Sequence, residues 1–169
     1  MNNLDRLFDL AASENIFIHF VAEIPCYKAD ALFVAKDSCR MILVLEKLKN
    51  NVSRLTEVLA EELGHYFTST GVNFCPTNYF EKLNIDKCEN KALKWACDFL
   101  IPEDELKKSV LKNFYNDSFD LISEDLNVSR DMLIQKFYFL SLKSDFLRVD
   151  ENKYLILSNF PSIYTFEEK

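Results

Sequence analysis

Residues 55–67 read LTEVLAEELGHYF, and the interpretation of the whole chain starts from them. Their apolar side chains recur every three or four residues, the spacing of one face of an α-helix. We therefore predict a helix from Ser53 to about Phe67, with Ser53 near its N-cap. The positions that form its buried stripe are Leu55, Leu59, Leu63 and Tyr66.

Polar side chains that suit chemistry lie on the same helix. Glu61 and His65 are four residues apart, so they share one face and stand one turn from each other. That spacing allows one helix to supply two ligands to a single metal ion. Glu62 falls between His65 and the apolar stripe, near Val58, so it is predicted to be partly buried. A buried carboxylate needs a partner or a raised pKa, and either suits a general base.

A second helix is predicted over residues 86–100, stopped by Pro102. Glu89 falls within the stripe predicted to be buried, and an unpaired buried charge costs several kcal/mol. Glu89 should therefore be neutralised by a metal shared with Glu61 and His65 or by a salt bridge to lysine or arginine, unless the helix boundary lies elsewhere. The stripe comprises Ile85, Cys88, Ala92, Trp95, Ala96 and Phe99.

The remaining pattern indicates an α+β protein, with a small N-terminal antiparallel sheet, a helical C-terminal half and a terminal β-hairpin. We predict one domain over 1–169, with 145–169 as a possible hairpin appendage. The other predicted elements are a helix at 3–13, a strand at 16–24, a hairpin at 30–45, a loop at 72–84, a helix beginning at Pro102, helices near 119–126 and 129–143, and a hairpin at 145–158.

Composition and sequence pattern bear on nucleic-acid binding, on cellular location and on the state of the cysteines. The 169 residues carry a formal net charge of −7, which argues against a broad basic surface for nucleic acid. We expect a soluble cytoplasmic protein, because we find neither a signal peptide nor an apolar run of the roughly 20 residues that span a bilayer. The five cysteines are scattered, without a CxxC pair, and are expected to be buried free thiols.

The segments AEELGHYF at 60–67 and CENKALKWACDFLIP at 88–102 together resemble the ImmA/IrrE family of bacterial and phage metallo-endopeptidases. The active helix of that family carries His-Glu-x-x-His, and its next helix carries a glutamate six residues before an aromatic-Ala pair, then a Leu-x-Pro-like stop. Here the second helix supplies Glu89, Trp95-Ala96 and Leu100-Ile101-Pro102. A later Val-Ser turn, here Val128-Ser129, also fits, and the resemblance spans about 16–143.

The resemblance implies a zincin-like active-site helix and a role for each matched residue. It makes His65 and Glu89 ligands of a zinc ion and Glu62 the general base that takes a proton from the metal-bound water. It also implies cleavage of a specific protein partner, a helix-turn-helix transcriptional repressor in a mobile-element or stress switch. No direct contact with nucleic acid or membrane is implied.

Glu61 stands where the family has its first histidine. A carboxylate can also bind zinc, but three ligands with charge −2 rather than −1 weaken the metal as a Lewis acid and favour manganese or iron(II). The outcomes left open are a slower peptidase, a peptidase with another metal, and a catalytically inactive regulatory protein that binds such a partner. Tyr66 or Tyr79 could stabilise an oxyanion. His19, the other histidine in the chain, is interpreted as a core or surface residue, with a replacement metal ligand as the alternative.

Overall fold

The computed structural model describes residues 2–24, 29–36, 39–68, 79–116 and 118–169. The chain forms two compact units, Met1–Ala96 and Cys97–Lys169. This division does not test the single-domain prediction, which stays a prediction. No helix in the described ranges has both the length and the apolar character needed to span a bilayer.

The first unit begins with a helix and a small sheet, as the sequence pattern predicted. The predicted helix at 3–13 and the hairpin at 30–45 are both confirmed. The hairpin turn at residues 37–38 lies outside the described residues. The elements are α1 (Asn3–Ser13), β1 (Phe17–Val21), β2 (Ala31–Lys36), β3 (Cys39–Leu45), a 3-10 helix (Glu46–Asn50), α2 (Val52–Thr68) and α3 (Tyr79–Leu100), whose last turn belongs to the second unit.

The N-terminal sheet is mixed rather than wholly antiparallel. Strand β2 pairs antiparallel with β3, but β1 pairs parallel with β3, giving the order β1-β3-β2. The second strand of the hairpin, β3, is therefore central, and it carries the fully buried Ile42 and Val44. That arrangement leaves β2 on one edge of the described sheet, where some of its backbone N–H groups face away from β3.

Helix α2 follows the predicted pattern, with one change at its start. Leu55, Leu59 and Leu63 are buried, as predicted, whereas Tyr66 is only half-buried. The N-cap is Asn51 rather than Ser53, because the Asn51 side-chain oxygen accepts the backbone N–H of Arg54 at 3.1 Å. An asparagine there satisfies a backbone donor that the first turn leaves without a helical partner.

Helix α3 starts earlier than predicted. It begins at Tyr79, so the predicted loop at 72–84 is wrong over its last part, and residues 69–78 lie outside the described residues. Its end at Leu100 agrees with the stop expected from Pro102. The segment from Tyr79 to Asn84 has a weak apolar period, and helix α3 as a whole is only modestly amphipathic.

Helices α2 and α3 approach each other so closely at Gly64 that there is no room for a side chain. A Cβ at this position would lie 2.4 Å from the carbonyl oxygen of Ala92 and 2.9 Å from its Cα. Real Cβ atoms essentially never come so near to backbone oxygen. Glycine is therefore required by packing, although it costs a helix interior about 1 kcal/mol relative to alanine.

The second unit combines helices with a separate antiparallel sheet of order β4-β5-β6. The helix after Pro102, the two further helices and the hairpin are confirmed, but the third strand was not predicted. That strand is four residues long and follows an irregular turn, so it gave little periodic signal. The elements are α4 (Glu103–Lys112), α5 (Phe119–Leu126), α6 (Arg130–Ser141), β4 (Phe146–Arg148), β5 (Lys153–Ile156) and β6 (Tyr164–Glu167).

Free thiols are found at the described cysteines, but burial is confirmed only in part. Cys97 is buried, Cys88 is intermediate and Cys39 is exposed. Cys39 is exposed because it opens β3, whose buried positions begin further along the strand. Cys26 and Cys75 lie outside the described residues.

Gly64→Ala should destabilise the protein by about 2 kcal/mol, because overpacking typically costs ~1–3 kcal/mol and here the clash is with rigid backbone. The measurement is the urea midpoint of unfolding, with Ser53→Ala at an exposed position of the same helix as the matched control. An unchanged midpoint for Gly64→Ala would show that the two helices do not touch at this point.

Candidate active site

The three side chains predicted to bind a metal line one pocket. Glu61 and His65 reach it from α2 and Glu89 reaches it from α3, at the place where the two helices approach. The pocket has a volume of about 130 Å³. Its lining consists of Glu61, His65, Glu89, Asn90, Ala92 and Leu93.

His65 and Glu89 are in direct contact. The His65 Nε2 atom lies 3.3 Å from Oε2 of Glu89, and the imidazole is buried. Burial alone would lower the pKa of His65, but the hydrogen bond and negative charge of Glu89, with the charges of Glu62 and Glu61, outweigh it and raise the pKa. Contact with Glu89 therefore stabilises the protonated form of the imidazole relative to its neutral form.

The predicted burial of Glu89 is wrong. Its side chain is 54 % exposed. The helix face that was expected to bury Glu89 is itself only half-buried at this end, at Ile85 and Cys88. Glu89 lies on the lining of an open pocket. An exposed carboxylate does not require a neutralising partner, although His65 contacts Glu89.

The geometry of His65 and Glu89 fits a metal ion. Two tetrahedral ligands at ~2.1 Å from one ion stand about 3.4 Å apart, close to the 3.3 Å between Nε2 and Oε2. Glu61 lines the same pocket, but no group of three or more His, Cys, Asp or Glu side chains within the described ranges is arranged to hold an ion. His65 and Glu89 are spaced to bind one ion, but Glu61 does not join them in a three-ligand group. The assignment of these residues as metal ligands stays a prediction.

Glu61 is not an exposed surface glutamate. It is half-buried, and burial raises the pKa of its carboxyl; the charge of Arg54 opposes this rise, whereas those of Glu57 and Glu89 add to it. Repulsion between Glu61 and Glu89 is a physical reason for the two carboxylates not to converge. Arg54 is held by Asp30, which accepts from its Nε and Nη2 at 3.2 and 3.1 Å.

Glu62 faces the sheet rather than the pocket lining. Its Oε2 accepts the backbone N–H of Phe33, on the edge strand β2, at 2.6 Å. Burial raises the pKa of Glu62 to about 7, even though the charge of His65 and the hydrogen bond from Phe33 both act to lower it. A carboxyl group that titrates near neutral pH can both accept and return a proton, which is what a general base requires. Its catalytic role stays a prediction.

Two other candidates from the sequence, Tyr66 and His19, are not among the described residues that line the pocket. The Tyr66 hydroxyl donates to Oε2 of Glu14 at 2.8 Å and accepts from Nη1 of Arg40 at 3.2 Å, so it ties α1 and β3 to the helix. His19 lies in β1 opposite Leu43 and is not among the lining residues. The side chain of Tyr79 lies outside the described part of the chain.

Sequence reasoning missed three contributors to the site. Gly64 allows the helices to approach, the backbone N–H of Phe33 holds Glu62, and Arg54 places a positive charge near Glu61. A glycine in a strong helical pattern was a usable signal for the first, since glycine is disfavoured there. The other two depend on contacts between elements that a helix period does not specify.

Comparison with known proteins shows the family to which the chain belongs. The family model Peptidase_M78, described as the IrrE N-terminal-like domain, matches residues 21–138. The match includes α2, most of the N-terminal sheet and α3, and it leaves out the β4-β5-β6 sheet. No curated protein and no solved structure matches the chain.

The raised pKa of Glu62 predicts a pH dependence of stability in metal-free protein. Between its ordinary value of 4.5 and about 7, folded protein binds a proton at Glu62 that unfolded protein has lost. Stability contributed by this group is therefore present at low pH and is lost as pH rises through 7. Glu62→Gln keeps an acceptor for Phe33 but carries no charge.

The expected result is that Glu62→Gln becomes more stable relative to wild type as pH rises from 4.5 to 8, by up to about 3 kcal/mol. Urea unfolding at a series of pH values measures the difference, with Glu124→Gln on the exposed face of α5 as the control. A difference that does not change with pH would mean that the Glu62 carboxyl is not desolvated.

Proposed function

Because the chain belongs to the Peptidase_M78, IrrE N-terminal-like family, we propose that it is a metal-dependent endopeptidase. Family membership supports a metallopeptidase-like function, and the roles of the individual site residues are what we propose in addition. The observation that carries it is the 3.3 Å approach of His65 Nε2 and Glu89 Oε2, beside a glutamate whose pKa is near 7. In this proposal His65, Glu89 and Glu61 hold the ion.

Glu62 is the proposed general base. Its carboxylate would take a proton from the attacking water and return it to the leaving amine. The Phe33 N–H holds one oxygen of that carboxylate, and in this proposal the other oxygen accepts the proton. A bound divalent cation would supply Lewis acidity to the scissile carbonyl and lower the pKa of water.

Glu61 changes what kind of ion the pocket favours. Replacement of a neutral imidazole by a carboxylate gives the proposed ligand set a charge of −2, which suits a harder cation. Zinc remains the first candidate from the family, and manganese and iron(II) become stronger competitors. The positive charge of Arg54 near Glu61 offsets part of the added charge.

We further propose that the substrate is a specific protein, a helix-turn-helix repressor in a mobile-element or stress switch. The resemblance to the ImmA/IrrE family is the main support. The net charge of −7 adds a physical reason, since an acidic protein associates readily with a basic DNA-binding protein. Action on such a repressor would place the chain in the cytoplasm.

A second candidate is a regulatory protein that binds the same kind of partner without cleaving it. One observation favours it specifically: the described residues do not assemble three metal ligands. Glu61 is the residue on which the two candidates differ. If its carboxylate does not join His65 and Glu89 around an ion, the fold keeps a binding function alone.

Metal binding should depend on the pocket residues in a graded way. Wild-type protein loaded with zinc or manganese at micromolar concentration should retain close to one equivalent of metal. Glu89→Gln should lose most of that metal. Glu61→His should bind zinc more tightly, because a neutral third ligand restores the family's donor set. Elemental analysis after desalting measures the content, with Glu46→His, which adds a histidine at an exposed site, as the control. Less than about a tenth of an equivalent in wild type would contradict the peptidase proposal.

Glu62→Gln should slow cleavage strongly while leaving the metal content unchanged, because the amide cannot accept the proton but occupies the same space. Loss of general-base catalysis is expected to lower the rate by about 10²–10⁴-fold. The assay is cleavage of a helix-turn-helix repressor from the same source, followed by mass spectrometry. Cleavage at the wild-type rate would remove Glu62 from the mechanism.

A further inference from the structure

The β4-β5-β6 sheet presents a row of aromatic rings to solvent. By register, Tyr154 pairs with Phe166 and also faces Arg148, so these side chains and Phe146 project from the same face. The ring of Tyr154 lies 5.6 Å from that of Phe146 and 6.4 Å from that of Phe166. The opposite face buries Leu147 and Leu155. We call the first face the aromatic sheet face; its residues are Phe146, Arg148, Tyr154, Ile156, Tyr164 and Phe166.

Exposure of this face is large for such a small sheet. Phe146 and Phe166 are each 50 % exposed and Tyr164 is 47 % exposed. Since an aromatic side chain has some 150–250 Å² to bury, these three leave roughly 300 Å² of aromatic surface in contact with water. Apolar patches of roughly this size on a monomer are often functional.

The size of the face points to a transient partner rather than to a second copy of the chain. A stable dimer buries about 800 Å² on each partner, more than twice this aromatic area. Tyrosine, phenylalanine and arginine are also the residues enriched in protein interfaces. The face lies outside residues 21–138, the part that the peptidase family shares, so the peptidase chemistry does not explain it.

Charge at one end of the face indicates what that partner carries. The β4–β5 turn holds Asp150 and Glu151, and hydrogen bonds between Asn152 and Glu168 bring the end of β6 to the same place. Glu168 also accepts a 3.5 Å hydrogen bond from the Tyr154 hydroxyl, which places its carboxylate beside the aromatic sheet face. Within the described residues, none of these three carboxylates forms a salt bridge.

The two cations of the β4–β5 hairpin, Arg148 and Lys153, do not form ion pairs with these carboxylates. Arg148 donates from Nε and Nη2 to the carbonyl oxygens of Asp150 and Glu151, which holds the turn. Lys153 faces the other side of the sheet, over the rings of Phe114 and Tyr115. An aromatic platform for single-stranded nucleic acid needs a positively charged groove beside it, and carboxylates there repel phosphate.

We propose that the aromatic sheet face is a docking surface for a protein segment that carries apolar side chains next to lysine or arginine. The apolar side chains cover the rings of Phe146, Tyr154 and Phe166. The cations lie against Asp150, Glu151 and Glu168 and over the exposed ring faces. The surface does not depend on the peptidase chemistry, so the two functions can be tested apart.

The test uses the full chain and a fluorescent peptide in which leucine and serine alternate between paired lysines. Fluorescence anisotropy should show saturable binding that weakens with salt, and a peptide with glutamate in place of lysine should bind much more weakly. The double variant F146S/F166S should lose affinity by about tenfold or more, since central aromatic anchors carry most of the energy of such contacts. Phe17→Ser, which removes a 61 % exposed phenylalanine from β1, should bind like wild type.

A second measurement uses wild-type protein alone, so it does not depend on folding of the double variant. Amide chemical shifts of wild-type protein should change on peptide addition at residues 146–148, 154–156 and 164–168. Unchanged shifts in these strands, equal binding of the lysine and glutamate peptides, or wild-type affinity in F146S/F166S would each overturn the proposal. Saturable binding of oligothymidylate at this face, or a dimer in sedimentation that the double variant abolishes, would do so as well by identifying a different occupant.

Discussion

The close approach of α2 and α3 at Gly64 is the constraint on which the candidate site depends. With no Cβ at this position, the backbone of α2 lies against the carbonyl group of Ala92. The next residue on α2 is His65, and Glu89 lies one turn before Ala92 on α3. Two helices kept apart by even a methyl group would separate these side chains, because each projects from a rigid backbone. The stability given up by a glycine inside a helix is what allows the 3.3 Å contact.

Around that contact the protein concentrates negative charge. The charges of Glu61, Glu62 and Glu89 all act on a single histidine, and Glu57 is buried one turn before Glu61. Different groups stabilise the carboxylates: His65 contacts Glu89, the Phe33 N–H binds Glu62, and the charge of Arg54 acts on Glu61. Sites that bind a cation or transfer a proton commonly lower the stability of the fold, and raised carboxyl pKa values indicate this destabilisation.

The sequence predicted the elements well where their periods were strong. Helices α1 and α2, the β2–β3 hairpin and the break at Pro102 all follow from local pattern and chain-breaking residues. The errors arise where packing between distant segments determines strand pairing or side-chain exposure. The parallel pairing of β1 with β3, the short strand β6 and the exposure of Glu89 each depend on which faces meet, and a helical wheel or an apolar run contains no information on that.

By itself, the sequence determined that Glu61 and His65 share one face of one helix, because four residues make about one turn, and that a second helix carrying Glu89 ends before Pro102. It also carried the family resemblance, which the match over residues 21–138 confirms. Only the tertiary structure decided that these side chains line one pocket and that Glu62 is bound by the edge of a sheet. The physical reason is that distances within a helix are set by its own geometry, whereas distances between elements are set by the packing of their surfaces, here by the absence of a single Cβ at Gly64.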